Sequence, residues 1–118
     1  TVSWSFAASS LADLWGFDDA YGADLEVEAA TGRFTGRVAG HFAPEDKVAV
    51  VAERCQRLGV GLEQVVAIGD SRSDVPLFEA VGFSVALNAT PDAQAVASAI
   101  VDSTSFVTAL RAVPDLIS

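Results

Sequence analysis

Apolar side chains along this chain recur at two spacings, one typical of amphipathic helices and one typical of buried strands. In Phe6–Trp15 they occupy positions 6, 7, 11, 14 and 15, which predicts a helix that ends at Gly16. The same kind of pattern predicts a helix at Glu45–Leu58, with Val48, Val51, Ala52, Cys55 and Leu58 on one buried stripe. It also predicts helices at Asp74–Val81, Pro91–Ser98 and Thr104–Ala112. Short β-leaning or apolar runs predict strands at Thr1–Ser5, Val65–Ile68, Phe83–Leu87 and Ala99–Val101. Strands that alternate with helices predict an α/β fold with an open, mostly parallel sheet and flanking helices.

One part of the chain departs from this alternation. Leu25–Glu28 and Arg33–Val38 are extended stretches on either side of Thr31-Gly32, which is a turn signal. Polar and apolar residues alternate only weakly in them, so we expect a β-hairpin exposed to solvent. Arg33, Phe34 and Arg37 of this hairpin are therefore expected to lie outside any ligand site at the edge of the sheet.

Composition narrows the possible partners and the cellular setting. The length of 118 residues suits one domain, which we place at 1–118, and 7 basic against 16 acidic residues give a net charge of −9. This charge argues against nucleic acid or an anionic membrane as a partner, because both require clustered Lys and Arg. No apolar run reaches the roughly 18 residues of a membrane span. The single cysteine excludes an internal disulfide, and we expect a reducing, cytoplasmic location.

Two carboxylates follow the most apolar strand, at the edge where open α/β sheets bind ligands. Val65–Ile68 leads into Gly69, and Asp70 and Asp74 come next, four positions apart. Asp74 alone is what the N-cap of the next helix requires, and Asp70 could brace the loop. However, a cap needs one aspartate only, and Gly69 indicates a close approach of the backbone to another group. Two such carboxylates can also bind a hard cation such as Mg²⁺.

Lys47, on the first turn of the helix predicted at Glu45–Leu58, is the only lysine in the chain, and the other six basic residues are arginines. This choice favours a position that needs a compact ammonium group, although a surface lysine is the simpler interpretation of the residue alone. Ser3 in the first predicted strand has a hydroxyl that could donate a hydrogen bond to a phosphate. A single serine, however, is weak evidence for a phosphate site.

Taken in order, these residues resemble three motifs of one enzyme family. Ser3, Lys47 and the pair Asp70 and Asp74 stand where the second, third and fourth motifs of the haloacid dehalogenase superfamily stand. The surrounding segments look like its phosphoserine-phosphatase-like branch, above all the stretch from Val66 to Gly82. The resemblance covers nearly all of residues 1–111, and it implies a Rossmann-like sheet.

The resemblance also implies an activity and a role for each residue. The activity is Mg²⁺-dependent hydrolysis of a small phosphorylated metabolite, in which an aspartate nucleophile takes the phosphoryl group. Asp70 would bind Mg²⁺, and Asp74 would orient Lys47. Lys47 would pair with the nucleophile and the phosphoryl oxygens, while Ser3 and the backbone N–H of Trp4 would hold the phosphate.

The chain departs from the family pattern in two ways. Ser73 and Trp4-Ser5 stand where relatives of phosphoserine phosphatase often have Asn and a Gly-Gly pair, which puts phosphoserine itself in question as the substrate. The first motif, Asp-x-Asp, and the cap domain do not occur in these residues. We therefore expect a partial core domain whose sheet lacks its first strand, between the Ser3 strand and Val65–Ile68. The missing N-terminal half of the protein, or a second copy, would be its partner.

Two other functions fit parts of the sequence. A catalytically inactive homologue could use the same fold as a binding module. A receiver domain, which accepts a phosphoryl group on an aspartate, would need its lysine after the fifth strand. Here the lysine precedes the Gly-Asp strand, so the receiver is the weaker alternative.

Overall fold

The computed structural model describes all residues from 1 to 118, which form two compact units, Thr1–Ala43 and Pro44–Ser118. The first unit contains one helix, α1 (Ser5–Trp15), and an antiparallel pair of strands, β1 (Asp24–Val27) and β2 (Phe34–Gly40). The single domain expected over residues 1–118 stays a prediction.

The start of the chain differs from the expected strand at Thr1–Ser5. Only Trp4 has a strand-like partner, through an isolated parallel bridge to Ala23, and α1 already begins at Ser5. The bridge rests on two hydrogen bonds, from Ser5 N–H to the Ala23 carbonyl and from Ala23 N–H to the Ser3 carbonyl, each 2.8 Å long. The helix thus begins directly after the bridge residue, so no longer strand forms at Thr1–Ser5.

The expected end of the helix at Gly16 and the expected exposed hairpin are confirmed. Gly16 ends α1 in the left-handed conformation, at φ 73°, and its N–H donates to the Ala12 carbonyl. The expected hairpin is formed by β1 and β2, and Arg33, Phe34 and Arg37 are exposed on it. The ring of Phe34 lies 5.3 Å from that of Phe6, between centroids, so α1 and the hairpin are in contact.

The second unit is a three-stranded parallel sheet with helices on both faces. Its elements, in chain order, are α2 (Pro44–Leu58), β3 (Val66–Gly69), α3 (Val75–Ala80), β4 (Phe83–Leu87), α4 (Pro91–Val96), β5 (Ala99–Val101) and α5 (Phe106–Arg111). The strands are ordered β3-β4-β5, and both pairings are parallel. The predicted fold class, an α/β fold with a parallel sheet, flanking helices and a small hairpin, is confirmed.

Each face of this sheet carries its own apolar cluster. On one face Ala67 and Ala86 pack with Phe78 of α3 and Ala93 of α4. On the other face Val85 packs with Ala109 of α5 and with Val113. Small side chains on the central strand allow the short helices to approach closely, so a small sheet can be covered on both sides.

The strand β3 is less enclosed than its apolar run predicts. It pairs with β4 alone, which leaves its other edge without a neighbouring strand. Ala67 is buried, but Val66 is 36% exposed. Leu58, expected on the buried stripe of α2, is also exposed, whereas Cys55 on that stripe is buried. No helix is both long and apolar enough to cross a membrane.

Candidate active site

The candidate site lies where β3 ends and its chain turns toward α3. Asp70 directly follows the strand, and a short 3₁₀ turn at Arg72–Asp74 leads into the helix at Val75. Pro76 stands in the first turn of α3, where its missing N–H is no loss and its fixed φ suits a helix. The loop is therefore stiff, and the strand and the helix set its ends.

An ion pair joins this loop to α2. The Lys47 Nζ atom lies 2.6 Å from Asp74 Oδ1, and the two side chains are only 12% and 13% exposed. The residues are 27 positions apart, so the pair depends on α2 packing against the loop. At this burial the two charges are screened less than at the surface, and each holds the other in place. The predicted pairing of Lys47 with Asp74 is present.

Asp74 uses both of its carboxylate oxygens within the protein. Oδ1 accepts from Lys47, and Oδ2 accepts from the backbone N–H groups of Asp70, at 2.9 Å, and Ser71, at 3.1 Å. Burial raises the pKa of Asp74, but the hydrogen bonds from Lys47, Ser71 and Asp70, together with the Lys47 charge, lower it below 3.8. Asp74 is therefore ionised at neutral pH and suited to orient Lys47, rather than to bind a metal itself.

Gly69 is required by this carboxylate. A Cβ atom at Gly69 would lie 2.8 Å from the Cβ of Asp74 and closer still to its carboxyl group. The close approach that the sequence indicated at Gly69 is therefore real, and the group approached is the side chain of Asp74.

Asp70 differs from Asp74, because its backbone is held by hydrogen bonds while its side chain has no partner in the protein. Its N–H donates to Asp74, and its carbonyl accepts from the N–H of Thr90 at 2.9 Å. Its carboxylate is exposed and forms no hydrogen bond or ion pair within the protein. A fixed and unengaged carboxylate at this sheet edge fits a ligand of Mg²⁺, which keeps several waters and takes few protein carboxylates. No group of three or more metal-binding side chains occurs in the structure.

Two serines in the loop take part in the site, although no role was expected for either from the sequence. Ser73 Oγ lies 2.9 Å from Lys47 Nζ, and Ser71 Oγ lies 2.9 Å from Ser73 Oγ. The available signal was the alternation of Ser with charged residues between Asp70 and Asp74. It could not be interpreted without knowing that Lys47 packs against this loop.

Ser3 and Trp4 belong to the first unit. The N–H of Ser3 donates to Thr1 Oγ1 at 3.1 Å, and the Ser3 carbonyl accepts from Ala23. The Ser3 hydroxyl and the N–H of Trp4 form no hydrogen bond within the protein, so both donors are available to a ligand. Their role in holding a phosphate stays a prediction.

A cleft of about 590 Å³ lies beside the loop, on the side of the helix N-termini. Its lining residues come from α2, the loop, α3 and α4, namely Pro44, Glu45, Arg72, Ser73, Val75, Pro76, Asp92 and Ala95. Lys47 and Asp70 do not line it. The cleft therefore shares Ser73 with the candidate site, but neither the Lys47 ammonium nor the Asp70 carboxylate.

Comparison with known proteins identifies a family and relatives of this chain. Residues 1–79 match the model of the haloacid dehalogenase-like hydrolases. A phosphoserine phosphatase of Archaeoglobus fulgidus is 36% identical over 87 residues, which are 73% of this chain and 25% of that enzyme. A phosphoglycolate phosphatase of Methanopyrus kandleri is 44% identical over 50 residues, which are 42% of this chain and 22% of that enzyme. This chain thus spans about a quarter of the length of either relative.

The fold is shared with a solved member of the same family. A hydrolase of this family from Salmonella enterica serovar Typhi superposes with a TM-score of 0.84 at 19% identity, covering 98% of this chain and 40% of that protein. The fold, the matched residues 1–79 and the ordered motifs agree. The chain belongs to the haloacid dehalogenase-like hydrolase family, in its phosphoserine-phosphatase-like branch.

Proposed function

We propose that the complete protein is a Mg²⁺-dependent phosphomonoester hydrolase that acts through an aspartyl-phosphate. The observation that carries this proposal is that the two carboxylates after β3 differ in their hydrogen bonding. Asp74 is saturated by Lys47 and two backbone N–H groups, while the Asp70 carboxylate is exposed and unengaged. One carboxylate thus sets a cation in place, and the other is available for a metal.

The proposed roles follow from charge. Mg²⁺ bound by Asp70 would neutralise phosphoryl oxygens and so make the phosphorus easier to attack. Two of the three Lys47 N–H groups are engaged by Asp74 and Ser73, so one is available for a phosphoryl oxygen or the nucleophile. Ser3 and the Trp4 N–H would supply further donors. Phosphoryl transfer depends mostly on positioning and charge neutralisation, which these groups are suited to provide.

The nucleophile is proposed to come from outside residues 1–118. The family mechanism requires an aspartate from an Asp-x-Asp motif, and the motif residues found here are those of its later motifs. The unpaired edge of β3 supports this proposal, because exposed backbone N–H and C=O groups there can accept another strand. The missing N-terminal half, or a second copy of the chain, is the proposed source of that strand.

A small phosphorylated metabolite is the proposed substrate. Relatives of this chain are named phosphoserine phosphatase and phosphoglycolate phosphatase, so O-phosphoserine and phosphoglycolate are the first compounds to test. The net charge of −9 supports a small-molecule substrate over nucleic acid or an anionic membrane. The single, buried cysteine supports a cytoplasmic location, as proposed from the sequence.

The experiment that tests the proposal is to trap the aspartyl-phosphate. The complete protein is incubated with Mg²⁺ and O-phosphoserine or phosphoglycolate, quenched in acid, reduced with borohydride and analysed by mass spectrometry. A reduced aspartate outside residues 1–118, found only with substrate and Mg²⁺, is the expected result. Release of phosphate with no trapped aspartate would overturn the mechanism, and no phosphate release from either compound would favour the inactive binding homologue.

A further inference from the structure

The two serines of the loop form a chain of hydrogen bonds that begins at Lys47. Lys47 Nζ lies 2.9 Å from Ser73 Oγ, which lies 2.9 Å from Ser71 Oγ. The Lys47 side chain is 12% exposed, and both serines are half-buried. Neither hydroxyl has another hydrogen-bond partner in the protein. The chain therefore has one end at the ammonium group and one end open.

The charge of Lys47 fixes the first hydrogen bond of this chain. An ammonium group has three donors and no acceptor, so Ser73 Oγ must accept from it. Between Ser73 and Ser71 either hydroxyl can be the donor. Their contact uses one of the two hydroxyl protons, so the other proton has no acceptor in the protein. When Ser73 donates, that remaining proton belongs to Ser71 and can be donated to a ligand.

We propose that Ser73 is a positioning residue for Lys47 and that Ser71 donates its hydroxyl proton to a phosphoryl oxygen of the ligand. The proposal rests on the proposed function, because the ligand it names is the phosphoryl group of that reaction. Ser73 and Asp74 together occupy two of the three ammonium donors and fix the direction of the third. In this arrangement Ser73 donates to Ser71 Oγ, and the Ser71 proton is left for the ligand.

The geometry of the loop supports a ligand for Ser71. Its backbone N–H is held by Asp74 Oδ2 at 3.1 Å, so the residue is fixed relative to the carboxylate that holds Lys47. Its neighbour Asp70 carries the exposed carboxylate that fits Mg²⁺. A phosphate bound beside that metal would meet donors already held in place, which lowers the entropy cost of forming the hydrogen bonds.

The experiment uses the complete protein and two readouts, neither of which depends on catalysis. The first is the Nζ resonance of Lys47 in protein labelled with ¹⁵N-lysine, assigned by its loss in Lys47→Arg. The second is the affinity for inorganic phosphate in the presence of Mg²⁺, measured by calorimetry. The variants are Ser73→Ala, Ser73→Thr, Ser71→Ala and Ser105→Ala, the last being an exposed serine whose hydroxyl makes no hydrogen bond. Circular dichroism confirms that each variant folds.

The proposal predicts a distinct result for each variant. Ser73→Ala shifts the Lys47 resonance and weakens phosphate binding, and Ser73→Thr restores both because it keeps the hydroxyl. Ser71→Ala leaves the resonance of the ligand-free protein near its original position but weakens phosphate binding about tenfold, since a hydrogen bond to a charged group is lost. Ser105→Ala changes neither readout.

Three outcomes would overturn it. An unchanged Lys47 resonance in Ser73→Ala would exclude the positioning role, and unchanged phosphate affinity in Ser71→Ala would exclude the donor role. Absence of phosphate binding by the unaltered protein would likewise exclude a phosphoryl ligand for Ser71. If instead the variants behave as expected but O-phosphoserine and phosphoglycolate are not hydrolysed, the proposed function fails and the hydrogen-bond chain stands.

Discussion

Lys47 shows at the residue scale how a single charge is held ready for chemistry. Its ammonium group is nearly buried, Asp74 neutralises it, and Ser73 takes a second donor. An arginine in its place would keep the charge but spread it over a planar fork with different reach and geometry. The rest of the chain uses arginine for its basic groups. The compact ammonium at position 47 is therefore a feature of the site rather than of the surface.

Replacing Lys47 by arginine is expected to lower kcat/KM of the complete protein for its phosphate ester by about 100-fold, as loss of one well-placed donor to transition-state charge does. The guanidinium cannot occupy the position between Asp74 and a phosphoryl oxygen. Steady-state hydrolysis of O-phosphoserine, phosphoglycolate and an aryl phosphate measures the effect, with Arg54→Lys on α2 as a matched control. Full activity of Lys47→Arg would contradict the role given to the ammonium group.

Asp74 is expected to make stability depend on pH. Its pKa is lower in the folded protein than the ordinary value of 3.8, so the folded state binds fewer protons on this group than the unfolded state near that pH. The stabilisation is complete well above pH 3.8 and is lost as the pH falls through the folded pKa.

Asp74→Asn is therefore expected to cost about 3 kcal/mol at pH 7, because it leaves the Lys47 charge unpaired. The difference from the unaltered protein should shrink as the pH falls below 3.8. Urea unfolding at a series of pH values measures it. A difference that stays constant down to the lowest pH at which the protein folds would show that the ionised form of Asp74 does not stabilise the fold.

Gly69→Ala is expected to disturb the contact between Asp74 and Lys47, whereas an alanine at a less crowded glycine should not. The added methyl group would overlap the Asp74 carboxyl and push it from Lys47. At Gly40 the nearest atom to an added Cβ is Asp24 Oδ2 at 3.5 Å, an ordinary contact, so Gly40→Ala is the control. The Lys47 Nζ resonance and kcat/KM should both change in Gly69→Ala. In Gly40→Ala both should stay near their original values. Equal effects in the two variants would exclude a specific requirement at position 69.

At the scale of elements, β4 and β5 are joined below the site by a reciprocal pair of serines. The N–H of Ser84 donates to Ser98 Oγ, and the N–H of Ser98 donates to Ser84 Oγ, both at 3.0 Å. Ser84 is 1% exposed, so either hydroxyl satisfies a backbone group that water does not reach easily. The pair fixes the chain entering β5 to the start of the central strand.

Ser84→Ala is expected to destabilise the protein by about 2 kcal/mol, because the Ser98 N–H then loses its acceptor in the interior. Urea unfolding measures the loss, and amide hydrogen exchange at Ser98 should become faster. Ser105→Ala, at an exposed hydroxyl without a partner, should change neither quantity. Unchanged exchange at Ser98 in Ser84→Ala would mean that another group satisfies its N–H.

The elements were predictable where the local pattern decides the outcome. Phe83–Leu87 is an apolar run interrupted only by Ser84, in the middle of the sheet, and its observed bounds are those expected. Thr1–Ser5 was not predictable, because strand formation there requires a partner, and one bridge at Trp4 is all that forms. Leu58 was misplaced for a similar reason, since helical spacing defines a stripe but not how far the neighbouring elements cover it.

The main residues of the candidate site could be selected from the sequence, but the contacts between them could not, and their functional roles stay predictions. Lys47, Asp70 and Asp74 stand out by residue type and by position after a strand or at a helix start. That Asp74 is saturated and Asp70 is not follows only from the backbone of the loop. The Ser73 contact to Lys47 spans 26 positions, and no local pattern encodes it.

For the whole molecule, the net charge of −9 opposes the approach of an anionic substrate. A phosphate site on such a protein requires local positive charge, and Lys47 with a bound Mg²⁺ would supply it. A bound Mg²⁺ would therefore be essential for binding as well as for chemistry. Asp70 would have the central role in holding it, since the carboxylate of Asp74 is already engaged.

The most direct test of this central claim is the Mg²⁺ dependence of hydrolysis by the complete protein and its Asp70→Asn variant, with Asp92→Asn on α4 as the control. Initial rates with O-phosphoserine and phosphoglycolate are measured across a Mg²⁺ titration after removal of metal with a chelator. We expect the unaltered protein and Asp92→Asn to gain activity with Mg²⁺ in parallel. Asp70→Asn should lose about 1,000-fold in kcat/KM at saturating Mg²⁺, the upper range for loss of one charge-stabilising group. Activity that does not need Mg²⁺, or that survives in Asp70→Asn with an unchanged Mg²⁺ dependence, would contradict the account.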